Sequence, residues 1–141
     1  MMQIHSQAYG LLEVDEEQIY SFEPGILGMT EIKQYALFPM KDTPFYVLHA
    51  LQDQVSFILL PSYEVVENYS FRIPEGIISL LGISTPEDVG VMLIVNIQEE
   101  NLHVNLMAPV LLAPHSRKGC QYVIKDQEFP IRLPLQVKEG K

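Results

Sequence analysis

The residues of this chain that could do chemistry are few and scattered. The soft metal ligands are four histidines, His5, His49, His103 and His115, and one cysteine, Cys120. None of the histidines pairs with another, or with Cys120, at ligand spacing. His103-Val104-Asn105 comes nearest to a metal-binding strand, but its second ligand position holds Asn. Zinc and non-haem iron sites need three or four converging N, S or O donors. The histidines therefore read as ordinary surface or half-buried side chains, and no metal or other cofactor is expected. Cys120 lies between Gly119 and Gln121 in a strand-like pattern. Arg117 and Lys118 nearby offer the electropositive setting that a reactive thiol needs, whereas the strand context favours a small buried hydrophobe. Gly25-Ile26-Leu27-Gly28 has the letters of a GXXG nucleic-acid clamp, which requires basic neighbours. Glu23 and Glu31 flank it and no Lys or Arg lies inside it. It reads instead as a turn in which Pro24 fixes φ and the glycines take positive φ, pinned to the core by Phe22, Ile26 and Met29.

Carboxylates cluster at Glu13, Asp15, Glu16 and Glu17 and again at Glu64 and Glu67. Acid–base work would need a cleft that perturbs their pKa values; at strand edges and in loops they read as solvated faces. With no nucleophile–base pair in view, the chain is not expected to be an enzyme. One stretch stands apart. After Pro61, Tyr63, Glu64, Val65, Val66, Glu67 and Tyr69 mix aromatic, apolar and acidic residues. Loops carry function disproportionately and Tyr is favoured at interfaces, so Tyr63, Glu64, Glu67 and Tyr69 are the candidate partner-binding residues. Local core packing is the alternative.

These residues must be positioned by short elements. The chain has 141 residues, 48% apolar and 19% charged, which fits one globular domain with a real core. Nine basic against eighteen acidic side chains give a net charge of −9, the wrong sign for binding nucleic acid through phosphates. That charge serves solubility or selects a basic partner. No apolar run approaches the roughly 18 residues of a membrane span, no signal peptide is visible at Met1-Met2-Gln3-Ile4-His5, and the single cysteine fits a reducing cytoplasm.

Apolar and aromatic runs predict strands near 3–8, 11–14, 18–22, 34–38, 45–51, 55–60, 69–73, 89–97, 102–107, 110–113, 120–125 and 129–133. Ten spread-out prolines separate them and leave little room for long helices. Pro74 through Gly82 has helical grammar, with Ile77, Ile78, Leu80 and Leu81 on one face, and predicts one short helix over 74–81. A shorter turn starts at Thr85 as N-cap. Val89 to Val95 lacks alternation and reads as a central strand covered on both faces, while Leu102 to Leu106 alternates, with one face wet. The expected fold is mainly β, a small antiparallel barrel-like domain over 1–135 with a frayed tail over 136–141.

The most specific wording is Asn105-Leu106-x-Ala108-Pro109-Val110, followed by Arg117-x-Gly119-x-Gln121. With Phe22-x-x-Gly25-Ile26-x-Gly28, Pro44-Phe45 and the closing Ile131-Arg132-x-Pro134, it resembles the flagellar assembly factor FliW family from Gly10 to Pro134. Two details depart from the family pattern. The first turn reads Phe22-Glu23-Pro24 and ends in Met29, and Ala113-Pro114 stands where relatives often carry Asn. The resemblance implies a cytoplasmic, barrel-like, non-enzymatic regulator. It implies binding to the RNA-binding repressor CsrA, which relieves repression of flagellin translation, and binding to flagellin itself, with monomer as the default state. Two other classes stay open: a small-molecule-binding or enzymatic β-barrel, which would need a pocket with convergent polar groups, and an oligonucleotide-binding barrel, which the charge disfavours.

Overall fold

A computed structural model describes residues 2–135. Eleven strands run in chain order: β1 (Met2–Ser6), β2 (Gly10–Val14), β3 (Ile19–Phe22), β4 (Gln34–Pro39), β5 (Tyr46–Ala50), β6 (Ser56–Pro61), β7 (Gly90–Gln98), β8 (Asn101–Val104), β9 (Val110–Ala113), β10 (Lys118–Gln121) and β11 (Leu133–Pro134). One helix, α1 (Glu75–Leu81), and three single 3-10 turns at Glu16–Gln18, Ser62–Glu64 and Pro86–Asp88 complete the described residues.

Seven strands close into a barrel in the order β3-β4-β5-β6-β7-β9-β10 and back to β3. Every neighbouring pair is antiparallel except β10 with β3, which is parallel. An odd ring cannot alternate direction all the way round, so one parallel seam is required. Strand β7 is long enough to serve three partners: Gly90–Met92 pair with β9, Met92–Val95 with β6 and Val95–Gln98 with β8. Its far end thereby carries β8 and β11 off the barrel wall.

Period-two alternation divides the strand residues between inside and outside. Tyr20 and Phe22, Tyr35, Leu48 and Ala50, Leu59, Met92, Val110 and Leu112 fill the barrel. The opposite faces are apolar too, because three layers cover the wall from outside. Leu60, Leu93 and Val95 pack under β8 and the 65–69 segment. Leu111, Ala113 and Cys120 pack under α1 through Leu81. Ala36 and Ile19 pack under the β1–β2 hairpin through Ile4 and Val14. The expectation of a two-sided central strand at 89–95 thus matches β7, with Met92 and Ile94 inside and Leu93 and Val95 outside.

Three sequence readings need correction. Residues 69–73 form no strand; Phe71 and Ile73 pack on the outside of the barrel against the cluster of Leu81, Leu111, Ala113 and Cys120. The stretch 129–133 contributes only the start of β11. Residues 120–125 extend β10 only to Gln121; beyond it the Tyr122 amide donates to the Pro109 carbonyl (3.0 Å) and the Ile124 amide to the Met107 carbonyl (2.8 Å) without strand geometry. The helix lies one residue inside its expected start: Pro74 is the N-cap rather than the first helical residue, and Gly82 ends α1 at φ 68°. Thr85 caps the following 3-10 turn as expected, and the Asp88 carboxylate accepts the Ser84 and Thr85 amides at 2.9 and 3.1 Å. Those two bonds are the main reason its carboxyl is held below the usual range. The expected tail, 136–141, lies outside the described residues.

Candidate functional site at the barrel mouth

The motif residues gather at the parallel seam. Gly119 faces the Phe22 ring so closely that a Cβ would lie 2.7 Å from its Cζ. Gln121 ties two turns together: its Oε1 accepts the Leu27 amide at 2.9 Å and its Nε2 donates to the Ala108 carbonyl at 3.1 Å. Asn105 Oδ1 accepts the Met107 amide at 2.8 Å, shaping the corner before Ala108 and Pro109. Arg117 sits at φ 57° in the β9–β10 turn, and its Nη1 donates to the Glu16 carbonyl at 3.0 Å. Gly28 takes φ 87°, but Gly25 does not have the positive φ expected of it. Gly25 is needed for space instead, since a Cβ there would meet the Ile32 and Met29 carbonyl oxygens at 2.9 Å. These residues close the barrel and present no reactive group.

At one end of the barrel lies an open mouth. Its walls take Tyr20 from β3, Leu37 from β4, Tyr46 from β5, Pro61 from β6, Met92 from β7 and Leu112 from β9, so six of the seven barrel strands contribute. Tyr63 stands at its lip, 77% exposed. The segments that enter or leave the barrel strands at this end hold Asp15, Glu16, Glu17, Asp42, Glu64, Glu87 and Asp88, against the cations Lys41, Arg117 and Lys118. Seven carboxylates against three cations leave this end of the barrel net negative.

A second concavity runs beside α1, about 330 Å³ in volume, lined by Phe71, Ile73, Ile78, Ile83, Val89 and Val91 among others. It is mainly aliphatic, and the loop holding Ser84, Thr85 and Pro86 forms one bank.

The family model described as FliW protein matches residues 3–135. The chain belongs to the FliW family. It is 35% identical to the flagellar assembly factor FliW of Caldicellulosiruptor bescii over 94% of this chain and 89% of that one. With the Bacillus subtilis protein of the same name the identity is 33%, covering 95% and 96% of the two chains. A solved structure, the crystal structure of the flagellar assembly factor FliW, superposes with a TM-score of 0.86 at 26% identity, covering 94% of this chain and 96% of that one.

Within this FliW fold the four candidate partner residues divide. Tyr63, Glu64 and Glu67 are exposed. Tyr69 is half-buried: its hydroxyl donates to the Leu106 carbonyl, and its ring packs against Phe71 and Phe129 at centroid distances of 5.3 and 5.0 Å. Burial pushes its phenol pKa well above the ordinary value. It belongs to the covering layer, as do Val65 and Val66. His49 departs from expectation. It is buried, with Nδ1 2.8 Å from the Ala50 carbonyl and Nε2 2.9 Å from Ser6 Oγ, and it anchors the β1–β2 hairpin to β5. Cys120 is buried, and desolvation raises its thiol pKa to about 11. Among the described residues no group of three or more His, Cys, Asp or Glu side chains is placed to hold a metal, and no helix is long and apolar enough to cross a membrane. The sequence reading missed Tyr20, Tyr46, Met92 and Leu112 as mouth residues, because each looks like an ordinary inward strand position. Only the closed barrel shows that they converge at one end.

Proposed function

We propose that this chain is a non-enzymatic, cytoplasmic flagellar assembly factor that binds the translational repressor CsrA, relieving repression of flagellin synthesis, and that also binds flagellin. Family membership supports the flagellar role. The observation that carries the CsrA half is the acidic barrel mouth, with exposed Tyr63 and Glu64 on its border and exposed Glu67 in the segment that follows. CsrA is basic because it binds RNA, and opposite potentials favour encounter. For flagellin the supporting feature is the aliphatic groove beside α1, since an amphipathic helix lays its apolar face into such a groove.

Calorimetric titration with purified CsrA and flagellin tests the pair directly. The wild type binds both. Glu64→Lys/Glu67→Lys weakens CsrA and leaves flagellin unchanged, whereas Ile78→Glu on the groove does the reverse. Equal effects of both variants on both partners would refute the division of surfaces.

A further inference from the structure

Inside its acidic rim the mouth holds an apolar hollow that the barrel core does not fill. Tyr20, Leu37, Tyr46, Met92 and Leu112 form the floor and walls, with Tyr63 and Pro114 at the lip, and the hollow measures about 430 Å³. That is within the range of about 300–1,000 Å³ typical of specific pockets, and barrel mouths are among the places where such pockets occur. No Lys or Arg lines it. Tyr63 adds an exposed aromatic surface at the lip, of the residue type that most often anchors an interface.

We infer that this hollow is the anchor socket of the partner contact: it receives one large apolar side chain from a segment of the partner whose neighbouring residues are Lys or Arg. The inference rests on the proposal that the mouth meets a basic protein, and it names the group that enters. The two halves of the site suit the two halves of such a segment. The rim carries seven carboxylates against three cations, a net negative charge that attracts flanking positive charge and would repel the phosphates of a nucleic acid. The hollow itself offers aromatic and aliphatic walls that a charged side chain would enter only at a desolvation cost. Rim charges therefore govern association and its salt dependence, while the socket governs how long the complex lasts.

Gly90 provides a test that leaves the rim untouched. It lines the hollow, lies on the same face of β7 as the inward-pointing Met92, and pairs with Leu112. A Cβ added there would find only the Leu112 carbonyl oxygen, at 3.8 Å, an ordinary contact. Gly90→Leu thus puts a side chain into the socket. With CsrA as the probe in surface-plasmon measurements, Gly90→Leu should weaken binding about tenfold or more, through faster dissociation, with the salt dependence of association unchanged. Gly90→Ala should stay within about twofold of wild type, because a methyl group leaves most of the socket open. Wild-type affinity and dissociation rate in a folded Gly90→Leu protein would overturn the socket while leaving CsrA binding intact. Should Gly90→Leu melt far below wild type, Tyr63→Ala decides: loss of the lip should speed dissociation about fivefold or more, and unchanged kinetics would overturn the inference. Failure of the wild type to bind CsrA would remove the partner reading and the socket together.

Discussion

Gly25 and Gly28 lie three residues apart in one turn and are glycine for different reasons. Gly28 occupies φ 87°, where a side chain strains the backbone, yet its Cβ would meet nothing within 4 Å. Gly25 has no such φ, but a Cβ would sit 2.9 Å from two backbone oxygens and the Thr30 Cα, none of which belongs to a flexible side-chain end. Gly28→Ala should therefore cost about 1 kcal/mol, the usual scale for a non-glycine residue in left-handed backbone. Gly25→Ala should cost more, since the turn itself must move. Chemical denaturation checks the order, and a Gly25→Ala protein as stable as wild type would show that the turn relaxes freely. Cys120 yields a second residue-scale prediction. Burial raises its thiol pKa from the ordinary 9.0 to about 11, so folding favours the neutral thiol. Its contribution to stability is then complete below pH 9 and is lost as pH rises from 9 through 11. Melting temperature should fall across that window more steeply in wild type than in Cys120→Ala, and Cys120 should resist alkylation in the native protein. Equal slopes in the two proteins would contradict the burial argument.

Elements were legible where a local signal and the tertiary structure agree. Pro74 and Gly82 bracket α1 to within one residue because capping is local. Val89 to Val95 announced a two-sided strand because barrel and covering layer make the same apolar demand on both faces. The 69–73 segment misled for the same reason: Tyr69, Phe71 and Ile73 alternate like a strand, but their apolar side chains cover the barrel and their backbone joins no ladder. The mouth was legible only in part. Tyr63, Glu64 and Glu67 stood out because they break the strand pattern, whereas Tyr20 and Tyr46 fit it. The β7–β8 turn gave no signal either. Glu99 and Glu100 adopt φ 52° and 70°, the backbone of a two-residue hairpin that normally selects Asn-Gly. Glu99→Asn/Glu100→Gly should therefore stabilise the protein by about 0.5–1 kcal/mol, the gain from relieving left-handed strain at two exposed positions. Denaturant midpoints measure it, and a lower midpoint in the variant would mean that these glutamates make contacts worth more than the strain.

For the whole molecule, the separation of charge from apolar surface has a kinetic consequence. The acidic mouth and the aliphatic groove are distinct surfaces, but both are built around the start of β7, where Val89 and Val91 line each of them. A partner seated in one therefore stands close to the other, and displacement by overlap needs no large conformational change. Where coupling replaces overlap, about 1–3 kcal/mol between the sites would suffice for a switch. Ionic strength separates the two partners. With the Debye length near 10 Å at 0.1 M salt and about 3 Å at 1 M, CsrA association at the mouth should slow markedly across that range. On the proposed division of surfaces flagellin is held by apolar anchors, and its binding should respond little. Titrating flagellin into a preformed CsrA complex should then release CsrA at low and at high salt, and less flagellin should be required at high salt, where the competitor is weaker. A stable ternary complex with both affinities unchanged would break the switch. Release requiring more flagellin as salt rises would show that the acidic mouth is not where CsrA is held.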